Sequence, residues 1–161
     1  MTLEEFLAQW NDASPCMEVQ TSGSTGVPKR IYIEKVRMRA SARMTCDFLN
    51  LHQGDTALLC MPLDFIAGKM MVVRALERGL KLLSVEPSSH PLCKTSMAGI
   101  GNPPCIDFAA MVPLQVWNTL QVPEEREALC RIRHLIIGGG AISQALEQEL
   151  RTLPINVWSS Y

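Results

Sequence analysis

The residues between positions 21 and 29 carry the densest set of chemically useful groups in the chain. Their sequence, TSGSTGVPK, places four hydroxyl side chains, two glycines and one lysine in nine consecutive positions. Glycines let backbone N–H groups approach an oxyanion, hydroxyls donate hydrogen bonds to phosphate, and lysine adds a positive charge. The segment therefore predicts a loop that binds the phosphates of a nucleotide.

This loop differs from the Walker phosphate-binding loop. That motif, GxxxxGK[ST], requires a glycine directly before the lysine and a hydroxyl residue directly after it. Here Pro28 precedes Lys29 and Arg30 follows it. On composition alone, an ordinary Ser- and Gly-rich hairpin loop is the alternative interpretation.

The complete nine-residue string resembles, at every position, the phosphate-binding motif of the acyl-adenylate-forming (AMP-binding) superfamily. That superfamily includes acyl-CoA ligases, luciferases and the adenylation domains of peptide synthetases. The resemblance implies that the loop holds the phosphates of ATP while a carboxylate attacks, with Thr25 and Lys29 in catalytic roles. It assigns nucleotide contacts to Thr21, Ser22, Gly23, Ser24, Thr25, Gly26 and Lys29.

A second segment resembles the motif that lines the acyl site in this superfamily. Residues 61–68, MPLDFIAG, are similar to PLFHxxG, although Asp64 and Phe65 replace its Phe-His pair. The resemblance implies substrate contacts from Phe65, Ala67, Gly68 and Lys69. Lys69 or Arg74 would be placed to pair with a second carboxylate of a dicarboxylic acid. The alternative for each is an ordinary solvated charge on a helix.

Three further segments follow in the order that the superfamily has them. Residues 111–120, MVPLQVWNTL, resemble the VPTQL stretch of o-succinylbenzoate-CoA ligases. Residues 135–141, LIIGGGA, resemble the glycine segment behind the adenine and the acyl chain, and residues 159–161 resemble the start of SYGxTE, whose aromatic residue stacks on adenine. The resemblance therefore implies nucleotide contacts from Gly138, Gly139, Gly140, Ala141, Ser160 and Tyr161.

The resemblance implies an ATP-dependent ligase that forms AMP and pyrophosphate, with ATP, Mg²⁺ and coenzyme A as cofactors and a small carboxylic acid as substrate. Within the superfamily, the VPLQ stretch, the GGGA segment and the short front most resemble the o-succinylbenzoate-CoA ligases of menaquinone biosynthesis. Three alternatives stay open. They are another aryl- or acyl-CoA ligase or peptide-synthetase adenylation domain, a nucleotide-binding module without catalysis, and a structural α/β domain.

The resemblance also predicts that residues 1–161 are a partial AMP-binding domain. Twenty residues precede Thr21, where most relatives have a full subdomain. The superfamily's magnesium-binding glutamate, ribose-binding aspartate and C-terminal catalytic lysine all follow the position of Tyr161. We therefore expect the C-terminal domain to be absent from this sequence, and these residues alone to be inactive.

Apolar runs alternate with helical patterns along the chain, which predicts a mainly parallel sheet flanked by helices, as in the large N-terminal domain of an acyl-CoA ligase. A capping box at Thr2 and Glu5 opens a first helix, and two short strands surround the phosphate loop. Residues 94–104 predict a surface loop. Helices are expected at 35–51, 67–78, from 113 and at 143–153, and strands at 17–21, 30–34, 57–61, 80–85, 107–112, 132–137 and 155–158.

Composition narrows the class of protein. The 161 residues are 47% hydrophobic and 19% charged with a net charge of -1, which argues against disorder and against a nucleic-acid partner. No apolar run is long enough to cross a membrane, and the N-terminal residues do not resemble a secretory signal. Six scattered cysteines form no metal or redox motif, so we expect buried, reduced thiols and a cytoplasmic enzyme. The sequence assigns no metal ligand and leaves homo-oligomerisation open.

Overall fold

The computed structural model of the protein describes residues 1–20, 30–101 and 105–160. In this part of the chain, one five-stranded sheet and a two-stranded hairpin are covered by helices. The strands are β1 (Cys16–Gln20), β2 (Arg30–Glu34), β3 (Thr56–Leu59), β4 (Lys81–Ser84), β5 (Ile106–Met111), β6 (Ile132–Ile137) and β7 (Asn156–Ser159). The helices are α1 (Leu3–Asn11), α2 (Lys35–Phe48), α3 (Ile66–Arg78), α4 (Lys94–Met97), α5 (Pro113–Leu120), α6 (Pro123–Leu129) and α7 (Gln144–Leu150).

The large sheet has the strand order β4-β3-β5-β6-β7, and every neighbouring pair is parallel. The central strand β5 and its neighbour β3 are almost continuously apolar and buried, as expected when helices cover both faces of a parallel sheet. Phe108, Leu58 and Leu135 are among the fully buried side chains at the centre of the core. The prediction of a mainly parallel sheet flanked by helices is confirmed.

The first two strands form a separate antiparallel hairpin. Met17 pairs with Ile33 and Gln20 pairs with Arg30, so the chain leaves β1 and re-enters β2 at the same end of the hairpin. Residues 21–29 connect these two positions and lie outside the described residues. The predicted pairing of the strands on either side of the phosphate loop is confirmed.

Helices α2 and α3 pack against each other and are joined by a small network of charges. The carboxylate of Glu77, which is 7% exposed, accepts hydrogen bonds at 2.8 Å from Arg39 and from Arg43. The guanidinium of Arg39 also lies 5.0 Å from the ring centre of Trp10 on α1. This network holds α1, α2 and α3 against one another beside the core.

Two elements were not predicted from the sequence. Residues 94–97 form the short helix α4 within the segment predicted as a loop, and the Cys93 thiol caps it by accepting a hydrogen bond from the Ser96 N–H at 3.4 Å. Helix α6 begins at Pro123, whose fixed φ and missing N–H suit the first turn of a helix. Both helices are short, so tertiary packing rather than a long periodic pattern stabilises them.

The expectation of buried cysteines is correct only in part. Cys46 and Cys60 are buried, but Cys16, Cys93 and Cys130 are half-buried and Cys105 is exposed. All six thiols are free. Cys105 directly precedes β5, where the chain has not yet entered the core, and this position explains its exposure.

Candidate active site

The predicted nucleotide and acyl segments meet at the carboxyl edge of the large sheet. Residues 60–65 follow β3, Val112 follows β5, Gly138 follows β6 and Ser160 follows β7. Because these strands are parallel, all four chain segments emerge at one edge. Open α/β sheets bind ligands in the crevice outside the carboxyl ends of their strands.

The glycine segment forms a tight turn directly against the end of β7. The Gly138 N–H donates to the Met111 carbonyl at 3.1 Å, and the Ser160 N–H donates to the Ile137 carbonyl at 2.9 Å. A Cβ atom on Gly138 would collide with the Ser160 hydroxyl oxygen, and Gly139 has φ +79°, which favours glycine. The turn therefore presents bare backbone to the edge of the sheet.

The structure thus brings together the described members of the predicted nucleotide site. Gly139, Gly140, Ala141 and Ser160 are exposed, and Gly138 is half-buried between β5 and β7. The loop residues from Thr21 to Lys29, together with Tyr161, lie outside the described residues. Their predicted phosphate and adenine contacts stay predictions.

The stem of the phosphate loop is attached to the acyl segment. Gln20, the last residue of β1, forms an isolated parallel bridge with Phe65. Phe65 is also the N-cap of α3, and its N–H donates to the Pro62 carbonyl at 3.4 Å. Since Thr21 follows Gln20 directly, the phosphate loop begins beside the segment predicted to line the acyl site.

Lys69 strengthens the same attachment. Its ammonium group donates to the Glu18 carbonyl of β1 at 2.6 Å, and the residue is only 2% exposed. Burial lowers the pKa of Lys69 below its usual value, and the nearby carboxylates of Asp64 and Glu18 oppose that shift. The interpretation of Lys69 as a solvated helix charge is therefore wrong, and its described partner is the backbone of the loop stem.

A cleft of about 300 Å³ lies beside this contact. Its lining includes Lys69 together with the acidic residues Asp12, Glu18 and Asp64. Asp12 already pairs with Lys35 at 2.7 Å, and that hydrogen bond lowers the pKa of the Asp12 carboxyl. The Met1 α-ammonium also lines the cleft, but it pairs with Asp64 at 3.2 Å, and Lys69 donates to the Glu18 carbonyl. Both cations of the lining are therefore already engaged, so we do not assign the phosphates to this cleft.

Gly68 allows α3 to begin against the chain that precedes it. A Cβ atom at this position would lie 2.8 Å from the Pro62 carbonyl carbon and 3.0 Å from the Met61 carbonyl oxygen. Only a residue without a side chain permits this approach. Among the other predicted substrate residues in this segment, Ala67 is exposed and Phe65 is half-buried.

Arg74 is the unusual cation of α3. Its guanidinium carbon lies 5.7 Å from the ring centre of Phe108, and burial lowers its pKa below the usual value. Its Nε atom is buried and has no hydrogen-bond partner, and no carboxylate among the described residues pairs with it. A buried donor without a partner is costly. The alternative interpretation of Arg74, an ordinary solvated charge on a helix, therefore does not describe this side chain.

One polar residue of this edge was missed as a candidate. Gln115 lies in the first turn of α5 and is 6% exposed. Its side-chain amide bonds to backbone groups of three different segments. The signal in the sequence was a glutamine three residues after Val112, in the first turn of an apolar helix. A glutamine at that position can bond back to the N–H of the residue that caps the helix.

Residues 1–20, 30–101 and 105–160 contain neither a cluster of metal ligands nor a helix that could span a membrane. These residues contain no group of three or more His, Cys, Asp or Glu side chains arranged to hold a metal ion. In the same part of the chain, no helix has the length and apolar character needed to cross a bilayer.

The parallel sheet, the bare glycine turn at its carboxyl edge and the adjoining loop stem have the arrangement in which open α/β sheets bind ligands. Residues 7–161 match the profile of the family described as "AMP-binding enzyme". The chain belongs to the AMP-binding enzyme family.

Curated proteins similar to this chain include 2-succinylbenzoate–CoA ligases. The chain is 27% identical over 154 residues to the 2-succinylbenzoate–CoA ligase of Escherichia coli strain K12, covering 96% of this chain and 31% of that protein. The chain therefore spans about a third of the length of the curated relatives it matches.

Solved structures of acyl-CoA synthetases have a fold similar to that of this chain. An acyl-CoA synthetase (AMP-forming)/AMP-acid ligase II-like protein from Dyadobacter fermentans superposes with a TM-score of 0.85 at 34% identity, covering 98% of this chain and 43% of that one. Wild-type E. coli MenE, solved with a bound phenylether-linked analogue of OSB-AMS, superposes with a TM-score of 0.67 at 25% identity, covering 89% of this chain and 29% of that one. The fold is that of the N-terminal domain of acyl-CoA synthetases.

Proposed function

We propose that this chain supplies the ATP-binding and acyl-binding part of an AMP-forming carboxylic acid-CoA ligase, with o-succinylbenzoate as the acid. The family match supports an acid–thiol ligase, and the 2-succinylbenzoate–CoA ligases among its relatives support the particular acid. The observation that carries the proposal is the Gln20–Phe65 bridge. It makes the phosphate loop start beside the acyl segment, which a ligase that joins a carboxylate to ATP requires.

The reaction has two steps. A carboxylate oxygen attacks the α-phosphorus of ATP, the bond to the β-phosphate oxygen breaks, and pyrophosphate leaves. The thiol sulfur of coenzyme A then attacks the acyl carbon, the thiol proton is lost, and AMP leaves with the electrons of the broken acyl–oxygen bond. In this proposal Ser22, Ser24, Thr25 and Lys29 hold the phosphates, and their donors stabilise the charge that develops during the first step.

The nucleotide base is assigned to the glycine turn. Gly138, Gly139 and Gly140 have no side chains and Ala141 adds only a methyl group, so this segment offers mostly backbone to a base. Tyr161 would stack on adenine from the end of β7. Mg²⁺, used with ATP throughout the family, would neutralise phosphate charge when bound. No ligand for it, and no contact for coenzyme A, is assigned within the described residues.

Arg74 favours an acid that carries a second carboxylate. Among the described residues the guanidinium contacts the Phe108 ring and the Met71 sulfur but no carboxylate, so a carboxylate ligand would supply the charged partner that it lacks. Lys69 is the weaker candidate because it already donates to the Glu18 carbonyl. We therefore assign the second carboxylate of o-succinylbenzoate to Arg74. An aryl-CoA ligase for a monocarboxylic acid is the second candidate, and it is an outcome of the test below.

The test compares three adenosine ligands on the chain by calorimetry. They are AMP, the sulfamoyl adenylate analogue of o-succinylbenzoate, and the matching benzoate analogue without the second carboxylate. We expect the o-succinylbenzoate analogue to bind at least tenfold more tightly than the benzoate analogue, and Arg74→Met to remove that advantage. Arg37→Met, at a cation that is 77% exposed, is the matched control. Equal affinity for the two analogues in the wild-type chain would favour the monocarboxylic alternative.

We further propose that the 161 residues alone do not turn over o-succinylbenzoate. They span about a third of the curated relatives, and well-positioned catalytic groups supply on the order of 7–11 kcal/mol of a barrier. Incubation with ATP, Mg²⁺, o-succinylbenzoate and coenzyme A should therefore release no AMP above background. A rate comparable to that of the E. coli relative would contradict this. Because the reaction consumes ATP and coenzyme A, we place the enzyme in the cytoplasm.

A further inference from the structure

The amide of Gln115 uses all of its hydrogen-bonding groups on backbone atoms. Its Oε1 accepts from the Val112 N–H at 3.1 Å. Its Nε2 donates to the Cys60 carbonyl at 3.1 Å and to the Ser88 carbonyl at 2.8 Å. An amide is the only side-chain group of this length that offers one acceptor and two donors without charge. No other uncharged side chain of similar length can make the same three contacts.

These three backbone groups come from neighbouring strands at the carboxyl edge of the sheet. Cys60 follows β3, Ser88 lies beyond the end of β4, and Val112 follows β5, in a sheet whose order begins β4-β3-β5. Beyond the strand ends, the Val85 N–H still donates to the Leu59 carbonyl at 3.0 Å, and the Cys60 thiol lies 3.4 Å from the Ala110 carbonyl. Gln115 adds a side-chain clamp that joins all three departing segments through one amide.

The loop that contains Ser88 has further contacts on the same side. The side-chain amide of Asn118 on α5 lies 3.4 Å from the Ser89 carbonyl, and Nδ1 of His90 lies 3.1 Å from both carboxylate oxygens of Glu125 on α6. Glu125 is 5% exposed. Residues 88–90 are thus held by three consecutive contacts to α5 and α6, among which only Gln115 also reaches the end of β3.

We propose that Gln115 is a positioning residue for the acid site, and this inference rests on the proposed ligase function. By joining Cys60 to Ser88, it fixes the segment that leads to Phe65 and Gly68 against the loop after β4. The acyl part of the adenylate then meets a surface that is already in place. The glycine turn that receives the nucleotide shares the Met111–Val112 peptide with the clamp, but it keeps its own backbone bonds, from Gly138 to Met111 and from Ser160 to Ile137, when the Gln115 contacts are lost. Loss of the clamp should weaken binding of the acyl group and leave binding of the nucleotide intact.

The test uses two substitutions and one control in the 161-residue chain. Gln115→Glu keeps the acceptor for the Val112 N–H but removes both donors, and Gln115→Met keeps the length of the side chain without any polar group. Gln121→Met is the control, because this exposed amide near the end of α5 contacts only the Trp117 carbonyl. Hydrogen exchange of peptides covering residues 86–93 is measured together with calorimetry on AMP and on the o-succinylbenzoate sulfamoyl adenylate analogue.

In both Gln115 variants we expect at least tenfold faster exchange in residues 86–93, at least tenfold weaker binding of the acyl analogue, and AMP affinity within about twofold of wild type. Unchanged exchange in both variants would overturn the clamp. Equal loss of AMP and analogue binding would overturn the positioning role. If the wild-type chain binds neither ligand, the proposed function fails, and the exchange measurement still decides whether Gln115 holds the loop.

Discussion

Substitution of Gly68 by alanine is the sharpest structural test of the acyl segment. The added methyl carbon would lie 2.8 Å from the Pro62 carbonyl carbon and closer still to its oxygen, whereas side-chain carbons do not normally approach within 3.0 Å. The obstacle is backbone, so no rotamer change relieves it. Either α3 must move away from residues 61–63, or the Pro62 peptide must rotate.

The cost follows from the kind of rearrangement required. Inserting a methyl group into a packed region that can respond only by a backbone shift costs about 1–3 kcal/mol. For a chain of this size, each kcal/mol lowers the melting temperature by about 2–4 °C, so we expect Gly68→Ala to lower it by about 2–12 °C. Because the shift occurs beside Phe65 and Lys69, it should also loosen the attachment of the phosphate-loop stem.

Gly99→Ala is the matched control for this experiment. A Cβ atom on Gly99 meets nothing within 4 Å, and its backbone is not in the left-handed region. Its melting temperature should match that of the wild type or rise slightly, because alanine restricts the unfolded chain. Thermal and urea unfolding of the three proteins decide the matter. Equal stability of Gly68→Ala and Gly99→Ala would refute the close approach of α3 to Pro62.

Two further predictions concern titration and reactivity. Iodoacetamide should label Cys105 in the folded chain because this thiol is exposed, although burial and the nearby Asp107 raise its pKa. Buried Cys46 and Cys60 should react only as the chain unfolds, because packing shields both sulfur atoms and burial raises the pKa of both thiols, that of Cys60 to about 12; labelling of all three at one rate in the folded chain would contradict the packing. Burial and Arg133 lower the pKa of His134 below 6.5, so the unfolded state takes up this proton first and the free energy of unfolding falls as the pH drops below 6.5. His134→Gln should make that fall shallower in pH-dependent urea unfolding; identical slopes in the wild type and His134→Gln would contradict the shift.

Much of the fold could be predicted because the sheet is parallel and buried on both faces. The apolar run at 57–61 and the triple glycine after 132–137 are local signals that survive in the structure as β3, β6 and the turn after β6. Helix α4 could not be predicted, because its cap is a thiol and its sequence is that of a loop. Helix α6 does carry a proline start and two acidic residues in its first turn, but seven residues are too few for a clear periodic pattern.

The site was predictable as a set of motifs but not as a set of contacts. Sequence spacing places Lys69 and Arg74 on one helix. It does not show that Lys69 donates to the Glu18 carbonyl, or that the Nε of Arg74 has no hydrogen-bond partner among the described residues. Likewise, two of the three bonds of Gln115 join it to carbonyl groups that are 27 and 55 residues away in the chain. Such contacts depend on tertiary packing, which a local pattern does not encode.

We propose that the loop at 21–29 holds the phosphates of ATP during adenylation, and ATP–pyrophosphate exchange measures that step. The assay uses a chimera in which this chain replaces the aligned 154-residue segment of the E. coli 2-succinylbenzoate–CoA ligase. We predict exchange that depends on o-succinylbenzoate, and a loss of about 10²–10³-fold in Lys29→Ala and Thr25→Ala at unchanged melting temperature. Exchange at the parent rate in both variants, or none in a folded chimera, would contradict the account.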